Sequence, residues 1–282
     1  MNRRKAEEQI VKGLMGVAIA IVIGSLILVF GMVLVKGAGA LNLDMITKVP
    51  EGGYYLGKGG GILNAIVGSL YLAGGAILLA TVISIPISWY LNQDAGKSRF
   101  AECVRTSLDV ACGIPSLVYG VFIFLIMVVI HQRTALIWGI ITVAIFIIPI
   151  LVRAMDEVMQ TVSRDLKEAS YGLGATDFET LRYVITRQAM PGIVAAILLA
   201  FGRGIGDAAA VLFTAGYTDS IPTSLFDPVA TLPLAIFFQI SSPYPEVQQR
   251  AYASGIILLV IVLVLIILSR FVSRRLMKYV IR

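Results

Sequence analysis

Charge is scarce in this chain. Asp, Glu, Lys and Arg make up 14% of 282 residues, against roughly a quarter in ordinary soluble domains. Cysteine and histidine are scarcer still. Cys103, Cys112 and the lone His131 are too few for a disulfide framework, a Cys/His zinc cluster or a haem attachment motif. Neither HExxH nor GxSxG occurs, which removes the common metalloprotease and serine-hydrolase signatures. What is abundant is apolar: 58% of residues are hydrophobic and the mean hydropathy is +0.88. The formal charge of +6 admits two readings, nucleic-acid binding or the collection of cations at the cytoplasmic ends of membrane spans. The second accounts for it without nucleic acid as a partner.

A bilayer core of about 30 Å needs about 20 apolar residues per helix. Six windows qualify: Lys12 to Lys36, Lys58 to Asp94, Asp109 to His131, Arg133 to Arg153, about Gln188 to Thr218, and Arg250 to Arg270. The expected class is therefore all-α, a polytopic membrane protein with six transmembrane helices at about 14–35, 62–91, 110–130, 134–152, 188–212 and 251–269. A short cytoplasmic N-terminal segment, 1–13, precedes a single transmembrane domain, 14–282. With both termini cytoplasmic, seventeen Lys and Arg fall on inside segments and five on outside ones, which sets the orientation. Arg3, Arg4 and Lys5 followed by an apolar run and Ala38-Gly39-Ala40 imitate a cleaved signal peptide. The run is too long for one and is expected to remain as a signal anchor.

Two loops exceed what a helix hairpin needs. The inside loop, 153–187, carries Leu166, Ala169 and Leu173 at helical spacing with Gly174 as a C-terminal cap. Thr176 and Glu179 then have capping-box spacing, and Phe178, Leu181 and Ile185 continue an apolar face. This predicts a helix–Gly–helix element that presents an apolar stripe to a cytoplasmic partner or lies on lipid headgroups. The outside loop, 219–250, contains the apolar run Val229 to Ile240, too short to cross and suited to a re-entrant or interfacial helix.

Within the fifth window, Gly202-Arg203-Gly204-Ile205-Gly206-Asp207 places Arg203 and Asp207 one helical turn apart in apolar surroundings. Intramembrane charges cost about 2.5–3.5 kcal/mol on insertion scales and face a protein interior or a water-filled cavity. Two readings follow. The pair fixes helix packing through mutual neutralisation, or Arg203 offers its planar fork to an oxyanion while Asp207 holds or gates it. Gly204 to Asp207 also spells the GxGD of intramembrane aspartyl proteases, but that chemistry needs a second carboxylate, and no Tyr-Asp pair exists. Gly96-Lys97-Ser98 resembles the end of a phosphate-binding loop, yet the leading glycine position holds Leu91. Glycines 59 to 61 are expected to form a flexible external turn, His131 a turn, Cys103 a loop thiol and Cys112 a buried small hydrophobe. Neither an internal repeat nor a broken helix near the midplane is legible.

Glu168-Ala169-Ser170, three residues, then Gly174 resembles the EAA loop of ABC-importer permeases. Around it, Gly113-Ile114-Pro115-Ser116-Leu117-Val118-Tyr119-Gly120, Gly172 to Thr176, Pro191-Gly192-Ile193 and Gly202 to Asp207 together resemble the phosphate-specific permease subunits, from about residue 60 onward. Gly60-Gly61-Ile62 through Gly68-Ser69, with Ala230-Thr231-Leu232-Pro233, resembles the PstA type more than its PstC-type partner. The departures are Asp207 for the family's Glu, Ala208-Ala209 for Ala-Pro, and Arg187 where a proline is usual.

The resemblance implies a type I ABC importer permease fold in the cell membrane, without catalysis, metal or cofactor. It further implies a PstC-type second permease subunit, a cytoplasmic ATP-binding subunit dimer and an extracytoplasmic phosphate-binding protein. By position, Glu168, Ala169 and Gly174 inherit ATPase coupling, and Arg203 and Asp207 the substrate pathway. The alternatives are an ion-coupled anion transporter or channel, and an intramembrane protease.

Overall fold

The computed structural model describes residues 3–93 and 98–277. The Gly96-Lys97 pair of the loop motif and the terminal cations Lys278 and Arg282 lie outside them. The regular structure of the described residues is all helical, with one isolated bridge between Pro50 and Gly60 and no β-strand. The elements are α1 (Arg3–Gly37), α2 (Leu43–Thr47), α3 (Leu63–Asn92), α4 (Arg99–Cys112), α5 (Ser116–Val129), α6 (Leu136–Gln160), α7 (Arg164–Gly172), α8 (Asp177–Glu179), α9 (Thr186–Gly206), α10 (Leu232–Gln239) and α11 (Pro245–Leu276). Five helical stretches are long and apolar enough to cross a membrane: those beginning at Glu7, Leu63, Leu136, Asp177 and Pro245. The bent pair α4–α5 supplies a sixth if counted as one span.

The core lies between α3 and α6. Leu72, Ala76 and Ala80 meet Ile140, Val143, Ile147 and Leu151. Small residues let the two backbones approach, as membrane helices require when no hydrophobic force between apolar neighbours draws them together. At Gly68 an added Cβ would collide with the Ala230 carbonyl, so the outer segment rests directly on α3. The most apolar part of α1, by contrast, buries nothing within the chain. It touches α11 only near its end, where a Cβ on Gly37 would lie 2.7 Å from the Tyr252 backbone.

Several sequence expectations are corrected. The window 110–130 is not one helix: α4 and α5 meet at 98°. Pro115, which lacks an amide hydrogen, ends the first at Gly113 and starts the second. Cys112, expected to be buried, is exposed, as is Cys103. The helix expected to run to residue 212 stops at Gly206. The external glycines do not form a loose turn. Residues 41–62 fold into a plug, with a Cβ on Gly61 blocked by three backbone carbonyls of 44–48. Arg250 of α11 holds that plug by donating to the carbonyls of Tyr54 (2.8 Å), Gly57 (3.2 Å) and Lys58 while its guanidinium lies over the Tyr54 ring. Burial pushes the Tyr54 phenol well above its ordinary range, and its hydroxyl donates to Gln239 of α10.

At the opposite end, Asp156 of α6 is fully buried. It accepts from Arg105 of α4 (3.0 Å), Asn92 of α3 (2.8 Å) and Arg153 (3.4 Å), and Arg153 also reaches Asp109 at 2.6 Å. Arg105 donates onward to the Leu91 carbonyl. One carboxylate thus ties three helices, and removing it takes away the buried acceptor that Arg105 and Arg153 share, leaving Arg153 its contacts to Asp109 and Glu157. Asp156→Ala is expected to lower the unfolding free energy of the detergent-purified chain by about 3–5 kcal/mol. Unfolding at the wild-type temperature would show that the clamp contributes nothing.

Candidate functional site

The glycine-rich end of α9 lies deep in the bundle. Gly204 sits against α6, where a Cβ would come 2.8 Å from Ile147 and 3.2 Å from Val143. Those residues are about 10–17 Å along α6 from Leu136, near the middle of a bilayer core of about 30 Å. Here the helix breaks. Asp207 has an extended backbone (φ −87°, ψ 114°), and residues 208–215 continue as turns. Non-helical backbone at this depth survives only where protein covers it or water reaches it. Protein covers one side of it, and the other is open in the single chain. Gly120 of α5 lets the Ala209 and Ala210 carbonyls in, since a Cβ there would meet them at 3.1 and 2.6 Å, whereas Gly202 and Gly206 have nothing within 4 Å.

The expected ion pair is not formed. Because the helix ends between them, Arg203 and Asp207 are not one turn apart on a common face, and no salt bridge joins them among the described residues. Asp207 instead accepts from the Ala210 amide at 2.8 Å, capping the turns that follow. Arg203 is exposed on the single chain and rests on the Phe146 ring, its guanidinium carbon 4.9 Å from the centroid. A cation–π contact steadies the charge without occupying its edge. The N–H fork of Arg203 makes no hydrogen bond among the described residues and is open to an oxyanion.

The second cluster lies on the inside loop. Glu168 and Ala169 are exposed on α7. Gly174 takes the left-handed conformation (φ 85°). Its amide donates to the Tyr171 carbonyl at 2.9 Å and that of Ala175 to Ser170 at 3.2 Å, the paired bonds of a Schellman ending. The tip this turn creates carries Leu173 at 90% exposure. The Thr176–Glu179 capping box forms in both directions, and the Ser170 and Thr180 hydroxyls share a hydrogen bond of 2.9 Å across the two arms.

The second arm is not a separate helix. α8 passes through a π-helical stretch, Thr180–Ile185, directly into α9. Leu181 and Ile185 are buried in the core with Met155 and Met159 of α6, and Phe178 stands edge-on to Trp89 at 5.9 Å. The result is one rod from Asp177 to Gly206, about 45 Å long. The loop cluster and Arg203 are therefore far apart and joined by one continuous helical stretch. Two contributors were not read from the sequence, Phe146 beneath Arg203 and the Asp156 clamp, whereas Leu173 was read at its helical spacing but not as a protruding tip. Only Asp156 left a trace, as an acid beside Arg153.

Residues 84–278 match the family of binding-protein-dependent transport system inner membrane components. The phosphate transport system permease protein PstA of Haemophilus influenzae is 29% identical over 95% of this chain and 94% of its own length. That of Yersinia pestis is 32% identical over 83% and 79%. Among solved structures, a chain of the inward-facing MetNI methionine ABC transporter superposes with a TM-score of 0.61 at 19% identity, covering 78% of this chain and 96% of its own. It shares the fold.

If Asp207 acts as a cap rather than as a counter-ion, Asp207→Asn keeps the acceptor and leaves thermal unfolding in detergent unchanged. Asp207→Ala then costs about 1 kcal/mol. Equal destabilisation by both substitutions would return the carboxylate to a charge-pairing role.

Proposed function

The chain belongs to the family of binding-protein-dependent transport system inner membrane components, and on that premise we propose that it is the PstA-type permease subunit of an ATP-driven importer of inorganic phosphate. Permease subunits of this family are not catalytic. ATP is hydrolysed by a separate subunit, and a binding protein delivers the substrate. That assignment leaves the intramembrane protease reading without support. The protein is a multi-pass membrane protein, and the seventeen-to-five cation bias supports cytoplasmic termini.

The observation that carries the mechanism is the continuous rod. The ATP-binding subunit dimer docks on the loop bearing Glu168, Ala169 and Gly174, with Leu173 as its protruding apolar contact. Movement of the loop is passed through the Ser170–Thr180 bridge and the rod to its far end, where Arg203 projects at the break. There the guanidinium receives phosphate on its open edge, and the unwound backbone beyond Gly206 leaves room for it. A PstC-type permease subunit supplies the other half of the pathway and covers the exposed face of Arg203. The relatives named phosphate permeases, alike over most of this chain, support phosphate over other oxyanions.

Arg203→Gln is expected to reduce phosphate uptake at least about tenfold while the complex still assembles; undiminished uptake would make Arg203 a packing residue. Glu168→Lys or Gly174→Trp should abolish co-purification of the ATP-binding subunit with normal membrane insertion. Transport of phosphate by the chain reconstituted alone would transfer the assignment to an ion-coupled carrier.

A further inference from the structure

Toward their cytoplasmic ends α9 and α11 part, leaving a groove of about 440 Å³. Its deeper wall is apolar, formed by Ala195 and Leu199 of α9 and Ile266 of α11, and its mouth carries Arg270 and Arg274. From Ile266 to Arg274 the groove extends about 12 Å along α11, from hydrocarbon to headgroup depth. Ser273 closes its end by donating to the Pro191 carbonyl at 3.2 Å.

The two guanidiniums are one turn apart and exposed, and neither meets a carboxylate among the described residues. Like charges at this spacing repel, so an uncompensated pair is held at a cost that an anion would relieve. A second observation points the same way. Ser269, only 6% exposed, lines the groove with its hydroxyl free of any hydrogen bond among the described residues. By contrast Arg275, at the same depth, lies over the Phe271 ring at 4.5 Å and is no part of the groove.

We propose that this groove holds an anionic phospholipid. Arg270 and Arg274 grip the phosphodiester with their planar forks, Ser269 donates to an ester or phosphate oxygen, and the wall of Ala195, Leu199 and Ile266 takes an acyl chain. Free phosphate satisfies the mouth but leaves the apolar half bare, which is why the lipid is the occupant that fits both halves. The leaflet rests on the orientation proposed above; the binding itself does not, since it is read on the isolated chain.

The test is native mass spectrometry of the full chain in mild detergent with phosphatidylglycerol, with phosphatidylcholine as the zwitterionic comparator. Wild type should retain phosphatidylglycerol about tenfold better than phosphatidylcholine. The double variant R270Q/R274Q should lose that preference, and R275Q should keep it. Thermal unfolding without lipid guards against a folding artefact: R270Q/R274Q should melt no lower than wild type, and added phosphatidylglycerol should raise the midpoint of wild type only. Equal retention by wild type and R270Q/R274Q would overturn the proposal, as would displacement of the lipid by millimolar inorganic phosphate. Failure of either kind leaves the phosphate-import reading untouched, because neither Arg203 nor the coupling loop enters the measurement.

Discussion

Lipid tails accept and donate no hydrogen bonds, so every amide and carbonyl at membrane depth must be satisfied by the protein or by water. Long helices meet that demand within themselves, which is why α3, α6, the rod and α11 are what they are. The break after Gly206 is the exception that shapes the molecule. Asp207 caps one freed amide, and Thr214 and Ala215 turn back on Val211. Gly120 admits the carbonyls of Ala209 and Ala210 against α5. The side that receives no such cover is the side on which Arg203 stands. The unwound backbone beyond Gly206 and the guanidinium of Arg203, which meets no carboxylate among the described residues, therefore lie side by side.

Rigidity is distributed to suit that break. The inside loop is stiffened at its tip by the Schellman ending and the capping box, and along its arms by the Ser170–Thr180 hydrogen bond. The rod it feeds is anchored to α6 by Leu181 and Ile185, while the Asp156 clamp keeps α3, α4 and α6 in register at the same end. From Asp177 to Gly206 the rod is one helical stretch, with Pro191 inside it. The π-helical stretch at Thr180–Ile185 is the one place where the rod's own hydrogen-bond spacing changes, and stretches of this kind recur at functional positions in helices. At the outer end, the Arg250-held plug covers the bundle as α10 lies beneath it.

The caps and the turn of the inside loop were legible because their signals are local, whereas the fate of its second arm was not. A Thr and a Glu three apart make a capping box, and a glycine after an apolar turn makes a left-handed ending, whatever surrounds them. The break at Gly206 was not legible, although glycines at 202, 204 and 206 stand there. Glycine permits a helix to end but equally permits a close helix crossing, and only the neighbour decides. Gly204 proved to be a crossing against Ile147, Gly206 an ending. The same ambiguity made Arg203 and Asp207 read as a pair: four residues apart is one turn only where the helix continues.

The sequence by itself determined that this is a helical membrane protein, where its apolar runs lie, how its cations are biased and which loop holds the capped helix–Gly–helix turn, because hydropathy, charge and capping act over a few residues at a time. The tertiary structure decided the rest. It bent the third window at Pro115, fused the loop's second arm to α9, separated Asp207 from Arg203, and placed Phe146 beneath the guanidinium. Each of these depends on which surface meets which across elements distant in the chain, and no short-range pattern encodes such a meeting.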